Sequence, residues 1–170
     1  GVIVNKRIIV VSAGELCLKG NNRKIFYRIW IKNLLKATGL DRSVIEKGRR
    51  QCYLHVEEEQ IDLVAEKLRY LLGAHSFFYA YRVVKDIATI EEQVLDLVGQ
   101  KTHAQTFKIQ TRRKDKHFPI RTHEINVALG TAVQERFPHL RAQMLQPDLQ
   151  VNVEICTDAC LIHLSQDRVL

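Results

Sequence analysis

Apolar positions along the chain switch repeatedly between a period of two and a period near 3.6, the signatures of strand and helix. Residues 7–12 (RIIVVS) form a short apolar run that predicts a buried strand. A glycine-containing loop, Ala13–Asn21, follows it. Asn21 or Asn22 can then cap a helix whose apolar positions are Ile25, Phe26, Ile29, Trp30, Leu34 and Leu35, with Gly39 as its stop. Residues 44–47 and 52–56 predict two strands around a turn at Gly48–Gln51. Ile61, Val64, Leu68 and Leu71 mark a second helix ended by Gly73, and residues 76–84 (SFFYAYRVV) a strong strand. The order βαββαβ is the split βαβ, or ferredoxin-like, arrangement.

A second α/β unit starts near Val84. Thr89 with Glu92 has the spacing of a capping box, and Ile90, Val94, Leu97 and Val98 give the helix face behind it. Residues 105–111 alternate as a strand, 123–137 form a helix stopped by Pro138, and Val151, Val153 and Ile155 alternate before a hairpin through Thr157–Asp158 to residues 159–164. The expected organisation is α+β, with one domain over residues 1–80 and a second over 81–170.

Hydrophobic residues make up 46% of the 170, enough for a core. No apolar run approaches the roughly 20 residues that cross a bilayer. Gly1–Val11 lacks the pattern of a signal peptide, so the expectation is a cytoplasmic protein with no membrane partner. The four cysteines, Cys17, Cys52, Cys156 and Cys160, form no CxxC pair and predict reduced, buried thiols.

Charge changes the picture more than composition does. The net charge is +7, and it is concentrated. Lys19–Arg50 holds ten Lys/Arg against Asp41 and Glu46, and Lys101–Arg121 holds seven against Asp115. Two basic zones of this kind suggest a phosphate-binding footprint. The sharper one is Thr111-Arg-Arg-Lys-Asp-Lys-His-Phe-Pro119, directly after a strand. Arg112, Arg113, Lys114 and Lys116 suit phosphate oxygens, and His117 or Phe118 could stack on an unpaired base. A solvated loop is the competing reading. Lys47-Gly-Arg49-Arg50 is a cationic hairpin tip, with an exposed soluble turn as its plain alternative. The loop Gly14–Lys24 feeds a helix start and offers backbone N–H groups to an anion, although it matches neither a P-loop nor GxGxxG, and a simple turn plus cap explains it as well.

Catalytic patterns are sparse. GxSxG and HExxH are absent, Cys156, Cys160 and His163 make a poor metal set, and Cys17 has no histidine near it in sequence. The residues therefore point to a binding module without a catalytic centre or metal.

Several ordered blocks resemble a known family. Gly14-Glu15, Lys19-Gly20, Asn22-Arg23-Lys24 and Phe26 resemble the N-terminal signature of ThiI-type tRNA 4-thiouridine sulfurtransferases. Leu72-Gly73-Ala74-His75-Ser76-Phe77 resembles their domain junction. Thr106–Pro119 resembles the core of their THUMP domain, and Ile125-Asn126, Gly130, Pro147-Asp148 and Val151–Ile155 continue in the same order. The resemblance spans nearly the whole chain. It implies an N-terminal ferredoxin-like domain followed by an α/β THUMP domain, a tRNA-binding domain that grips the acceptor end. In the family, ATP and a persulfide sulfur donor serve a following PP-loop domain, and the same proteins supply sulfur for the thiamine thiazole. No SGGxDS motif lies in this sequence, so the resemblance assigns no cofactor to these residues. Ser12 stands where the family usually has Arg.

On this reading the RNA-binding residues are Lys19, Asn22, Arg23, Lys24, Lys47, Arg49, Arg50, Lys108, Thr111, Arg112, Arg113, Lys114, Lys116, His117 and Phe118. The expected partner is the tRNA acceptor end, joined by a C-terminal PP-loop domain or a partner enzyme; a homodimer is a further option. The alternatives are a THUMP adaptor that recruits RNA or a modification enzyme without catalysis, an enzyme using Cys17, and a non-specific polyanion binder.

Overall fold

A computed structural model describes residues 7–12, 22–48, 51–73 and 77–167. Its contacts divide into two compact units, one from Arg7 to Tyr79 and one from Ala80 onward.

The first unit contains β1 (Arg7–Ser12), α1 (Asn22–Thr38), β2 (Ile45–Lys47), β3 (Gln51–Leu54), α2 (Glu58–Leu72) and the start of β4 (Phe77–Val83). Its strand order is β2-β3-β1-β4, the order of a ferredoxin-like βαββαβ sheet. β1 and β3 are antiparallel, with Ile9 opposite Leu54 and Val11 opposite Cys52. Alternation therefore places Ile9 and Val11 on one face, where they pack with Leu54, Trp30, Ile31 and Leu34 of α1, and Ile61, Val64 and Leu68 of α2. Both helices end at glycines with positive φ, Gly39 at 71° and Gly73 at 86°. There a Cβ would strain the backbone, and each N–H closes the last turn on Leu35 O or Arg69 O.

α1 departs from its expected face. Trp30 and Leu34 are buried as read, but Ile25 and Ile29 are 57% and 52% exposed. The buried stripe runs through Tyr27, Trp30, Ile31 and Leu34, at the i, i+3, i+4, i+7 spacing, and Ile29 sits one helical step off it. Tyr27 meets Trp30 edge-on at 5.7 Å between centroids. The loop Ala13–Asn21, with the expected cap at Asn21, lies outside the described residues.

The second unit contains the end of β4, α3 (Ile87–Gly99), β5 (Thr106–Arg113), α4 (Thr122–Arg136), β6 (Arg141–Ala142), β7 (Leu149–Ile155) and β8 (Cys160–Leu164). Its strand order is β4-β8-β7-β5-β6. β5 lies parallel to β7 on one side and to β6 on the other, while β7 and β8 form the expected antiparallel hairpin. Phe107, Ile109, Val151, Val153, Ile155 and Ile162 pack with Ile90 and Val94 of α3 and Ile125, Leu129 and Val133 of α4. The capping box is not where the spacing put it. Asp86 caps α3, its Oδ2 accepting from Thr89 N–H at 3.1 Å and from Thr89 Oγ1 at 3.0 Å. Thr89 is thus already in the first turn, because Asp86 offers a stronger acceptor three residues earlier.

Asp148, the residue before β7, ties that strand to the start of β5. Its Oδ2 accepts from Gln105 N–H at 2.9 Å and Thr106 N–H at 3.2 Å, and Thr106 Oγ1 accepts from Asp148 N–H at 2.8 Å. These donors hold the Asp148 carboxyl below the usual carboxylate range.

Candidate nucleic-acid interface

The cation-rich segment Arg112–Phe118 leaves the C-terminal end of β5, where a strand must give way to α4. Six side chains of this segment were candidates for RNA contact, and the structure gives them different tasks. Arg112, Lys116 and His117 are exposed. Arg113 is half-buried and turned to the loop itself: its Nη1 donates to Phe118 O at 3.1 Å and Ile120 O at 3.4 Å. Lys114 lies 3.1 Å from Glu154 Oε1, and its side chain stays half exposed.

Phe118 differs from expectation. It is 7% exposed and belongs to the core under the loop, so no base can stack on it. Burying its ring yields more than leaving it in water beside cations, on the order of 1.5–3 kcal/mol. Of the two stacking candidates, the accessible one is His117. Thr111 is a second correction. It is 3% exposed, and its Oγ1 donates to Asn126 Oδ1 at 2.6 Å, linking β5 to α4. Lys108 is half-buried on β5, opposite Gln150.

Two residues the sequence did not single out organise the loop. Glu154 on β7 is buried and accepts from His163 at 3.2 Å as well as from Lys114. Burial pushes its carboxyl up, but the His163 hydrogen bond and the Lys114 charge outweigh burial and hold it at about 2. Lys85, between β4 and α3, reaches Asp115 Oδ2 at 2.7 Å and Thr157 O at 2.9 Å. Lys85 first, then the His117 N–H, hold the Asp115 carboxyl below the usual range. The only sequence signal for Glu154 was its place as the one charge in Leu149–Cys156, and Lys85, beside Asp86 and three residues after Arg82, carried none.

The other basic zone is only partly described. Lys19, Arg49 and Arg50 lie outside the described residues. Asn22, Arg23 and Lys24 start α1, but their side chains lie outside the description too. Lys47 is exposed at the end of β2, with its Nζ 4.9 Å from the Tyr27 ring centroid.

Cys52, Cys156 and Cys160 are buried, and among the described residues they form no disulfide. Burial first, then the neighbouring Cys156 and Glu154, push the Cys160 thiol up to about 12, which suits packing and not nucleophilic attack. Cys17 lies outside the described residues. Among the described residues no cluster of three His, Cys, Asp or Glu side chains could hold a metal ion. No described helix is long and apolar enough to cross a membrane.

Both halves of the chain match known domain families in the order the geometry suggests. The ThiI ferredoxin-like domain family matches residues 8–77, and the THUMP domain family matches residues 84–165. The chain carries a ThiI ferredoxin-like domain followed by a THUMP domain. It is 33% identical over 156 residues to a probable tRNA sulfurtransferase of Geobacillus kaustophilus, covering 91% of this chain and 39% of that protein. A probable tRNA sulfurtransferase of Coxiella burnetii is 32% identical over 167 residues, covering 96% and 43%. The chain thus spans about two fifths of the length of these curated relatives. Among solved structures it resembles a 4-thiouridine synthetase in complex with RNA and bound ATP, with a TM-score of 0.77, 26% identity, and coverage of 94% of this chain and 41% of that one. A Pyrococcus horikoshii protein shares the fold at 16% identity, TM-score 0.71, covering 94% and 54%.

Within the THUMP domain, the Arg112–Phe118 loop occupies one end of β5. At the other end, Thr102, His103, Ala104, Gln105, His139 and Arg141 line a shallow depression of about 520 Å³. Eight residues of strand separate the two, roughly 25 Å at the usual rise per residue.

Proposed function

We propose that this chain is the tRNA-binding module of a ThiI-type tRNA sulfurtransferase, docking the acceptor end of tRNA by shape and charge. The observation that carries the reading is the pinned loop at the end of β5. It presents Arg112, Lys116 and His117 to solvent from a rigid strand end, while Phe118, Arg113 and the Lys85–Asp115 pair fix it from behind. Arg112 and Lys116 neutralise phosphates, and His117 stacks on an exposed base. Lys114 adds charge from the rim, and Lys47 and the cations of the first basic zone are further candidate phosphate contacts. The depression with His103, His139 and Arg141 offers a second group of exposed polar side chains to the same strand. Relatives described as tRNA sulfurtransferases, and a structural neighbour solved with RNA, support the choice of ligand.

In this reading the module performs no chemistry itself. ATP and a persulfide donor act in a C-terminal PP-loop domain, which makes 4-thiouridine and serves thiamine thiazole synthesis in the cytoplasm. That domain, or a separate partner enzyme, is its protein partner in this reading.

Binding of the chain to whole tRNA, to tRNA trimmed of its 3′ single strand and to duplex DNA, followed across salt concentrations, tests the reading. The expected result is tightest binding to whole tRNA, weakened by trimming, with a slope of about −0.7 to −0.9 per phosphate contact in log affinity against log salt. Equal binding to all three ligands makes the chain a general polyanion binder. Binding to none makes it a protein adaptor.

A further inference from the structure

The Arg112–Phe118 loop contains one acid, Asp115, and an acid among phosphate-binding cations opposes RNA. Every polar group of Asp115 is nevertheless engaged. Its Oδ2 accepts from Lys85 Nζ at 2.7 Å and its Oδ1 from His117 N–H at 3.0 Å. Its own N–H donates to Ile155 O at 2.9 Å, and its carbonyl accepts from Phe118 N–H at 3.2 Å. The carboxylate side chain is 14% exposed and that of Lys85 26%. Lys85 also donates to Thr157 O in the turn between β7 and β8, so one ammonium joins the approach to α3, the basic loop and the hairpin turn. A loop so fixed loses little conformational freedom on binding, and preorganisation of this kind raises affinity without new contacts.

We infer that Asp115 and Lys85 are positioning residues for RNA binding, their pair setting the loop conformation in which Arg112, Lys116 and His117 meet the ligand. The inference rests on the RNA-binding reading above. It also predicts a sign opposite to that of charge alone. Asp115→Asn removes a negative charge, so a loop acting by charge alone binds RNA more tightly, whereas a positioned loop binds it more weakly. Lys85→Met weakens binding on either view, and the double variant separates them. If Lys85 acts through Asp115, the double variant costs about what the worse single costs; if Lys85 touches phosphate itself, the losses add.

The experiment measures tRNA affinity at fixed salt for the wild-type chain, Asp115→Asn, Lys85→Met, Lys85→Arg and the double variant, at a temperature where thermal melting shows each fully folded. The expected result is a loss of roughly three- to tenfold for Asp115→Asn and for Lys85→Met, no further loss in the double, and near-complete rescue by Lys85→Arg. Mere loss of stability predicts none of this pattern in fully folded protein. Folded Asp115→Asn that binds as tightly as wild type, or more tightly, overturns the inference alone. If Asp115→Asn does not fold, the salt dependence of Lys85→Met decides: a loss of affinity with the salt slope unchanged upholds the inference, while unchanged affinity, or a loss with the slope reduced by about one phosphate contact, overturns it. A wild-type chain without tRNA affinity overturns the function reading and this inference with it.

Discussion

His117 and Phe118 are adjacent in sequence and opposite in role. In the string of letters both are ring-bearing residues in a basic run, and nothing local distinguishes them. The distinction comes from the turn held by Asp115, which directs Phe118 into the core and leaves His117 exposed. Truncating Phe118→Ala should therefore cost about 3–5 kcal/mol of unfolding free energy in urea. His117→Ala should leave stability within about 0.5 kcal/mol and weaken tRNA binding by roughly 1–3 kcal/mol, the worth of one stacked base. The opposite assignment, with Phe118→Ala harmless to the fold, would remove the burial argument. Ile25 and Ile29 teach the same lesson in α1. Their spacing is helical, but so is that of Tyr27, Trp30, Ile31 and Leu34, and only packing against the sheet chooses between two overlapping stripes.

Between elements, the deciding contacts join strands that are distant in sequence. The strands and helices themselves were legible because their periods differ and because Gly39 and Gly73 mark helix ends. The parallel neighbours of β5 were not, since β6 and β7 both arrive after α4 and period alone carries no pairing information. Glu154 shows what such pairing creates. It faces Lys114 and His163 only because β7 lies between β5 and β8. Its carboxyl is held at about 2 against an ordinary value of 4.5, so its contribution to stability is present above about pH 4.5 and fades as pH falls towards 2. The contribution is on the order of 3 kcal/mol. Unfolding free energies measured from about pH 6 to about pH 2 should fall less steeply in Glu154→Gln than in wild type; parallel curves would mean that the carboxylate is not held by its partners.

Across the molecule, the two units have separate cores. Leu34 belongs to the first and Leu129 to the second, and they share no packing partner among the core residues. Leu34→Ala and Leu129→Ala should each cost about 2–5 kcal/mol, and their effects should sum to within about 0.5 kcal/mol in the double variant. A large interaction energy, read from chemical unfolding, would show that the cores are energetically one. The two-part organisation was readable from the βαββαβ order followed by a new helix and a second set of alternating strands. The footprint was readable only as charge density: two basic zones in sequence say where cations are plentiful, but not that Arg113 would bind its own loop or that Lys114 would pair with Glu154.

The place of β5 bears on how the protein is made. Both of its neighbours lie later in the chain, and both run parallel to it, so no tight hairpin can form while synthesis proceeds. When β5 and α4 have left the ribosome, the strand still shows two open edges, and Phe107 and Ile109 lack part of their cover. Exposed edges of that kind invite pairing with other chains. The interval closes when Leu149–Ile155 emerges and Asp148 secures the start of β5, which makes this strand the expected site of chaperone contact on the nascent polypeptide.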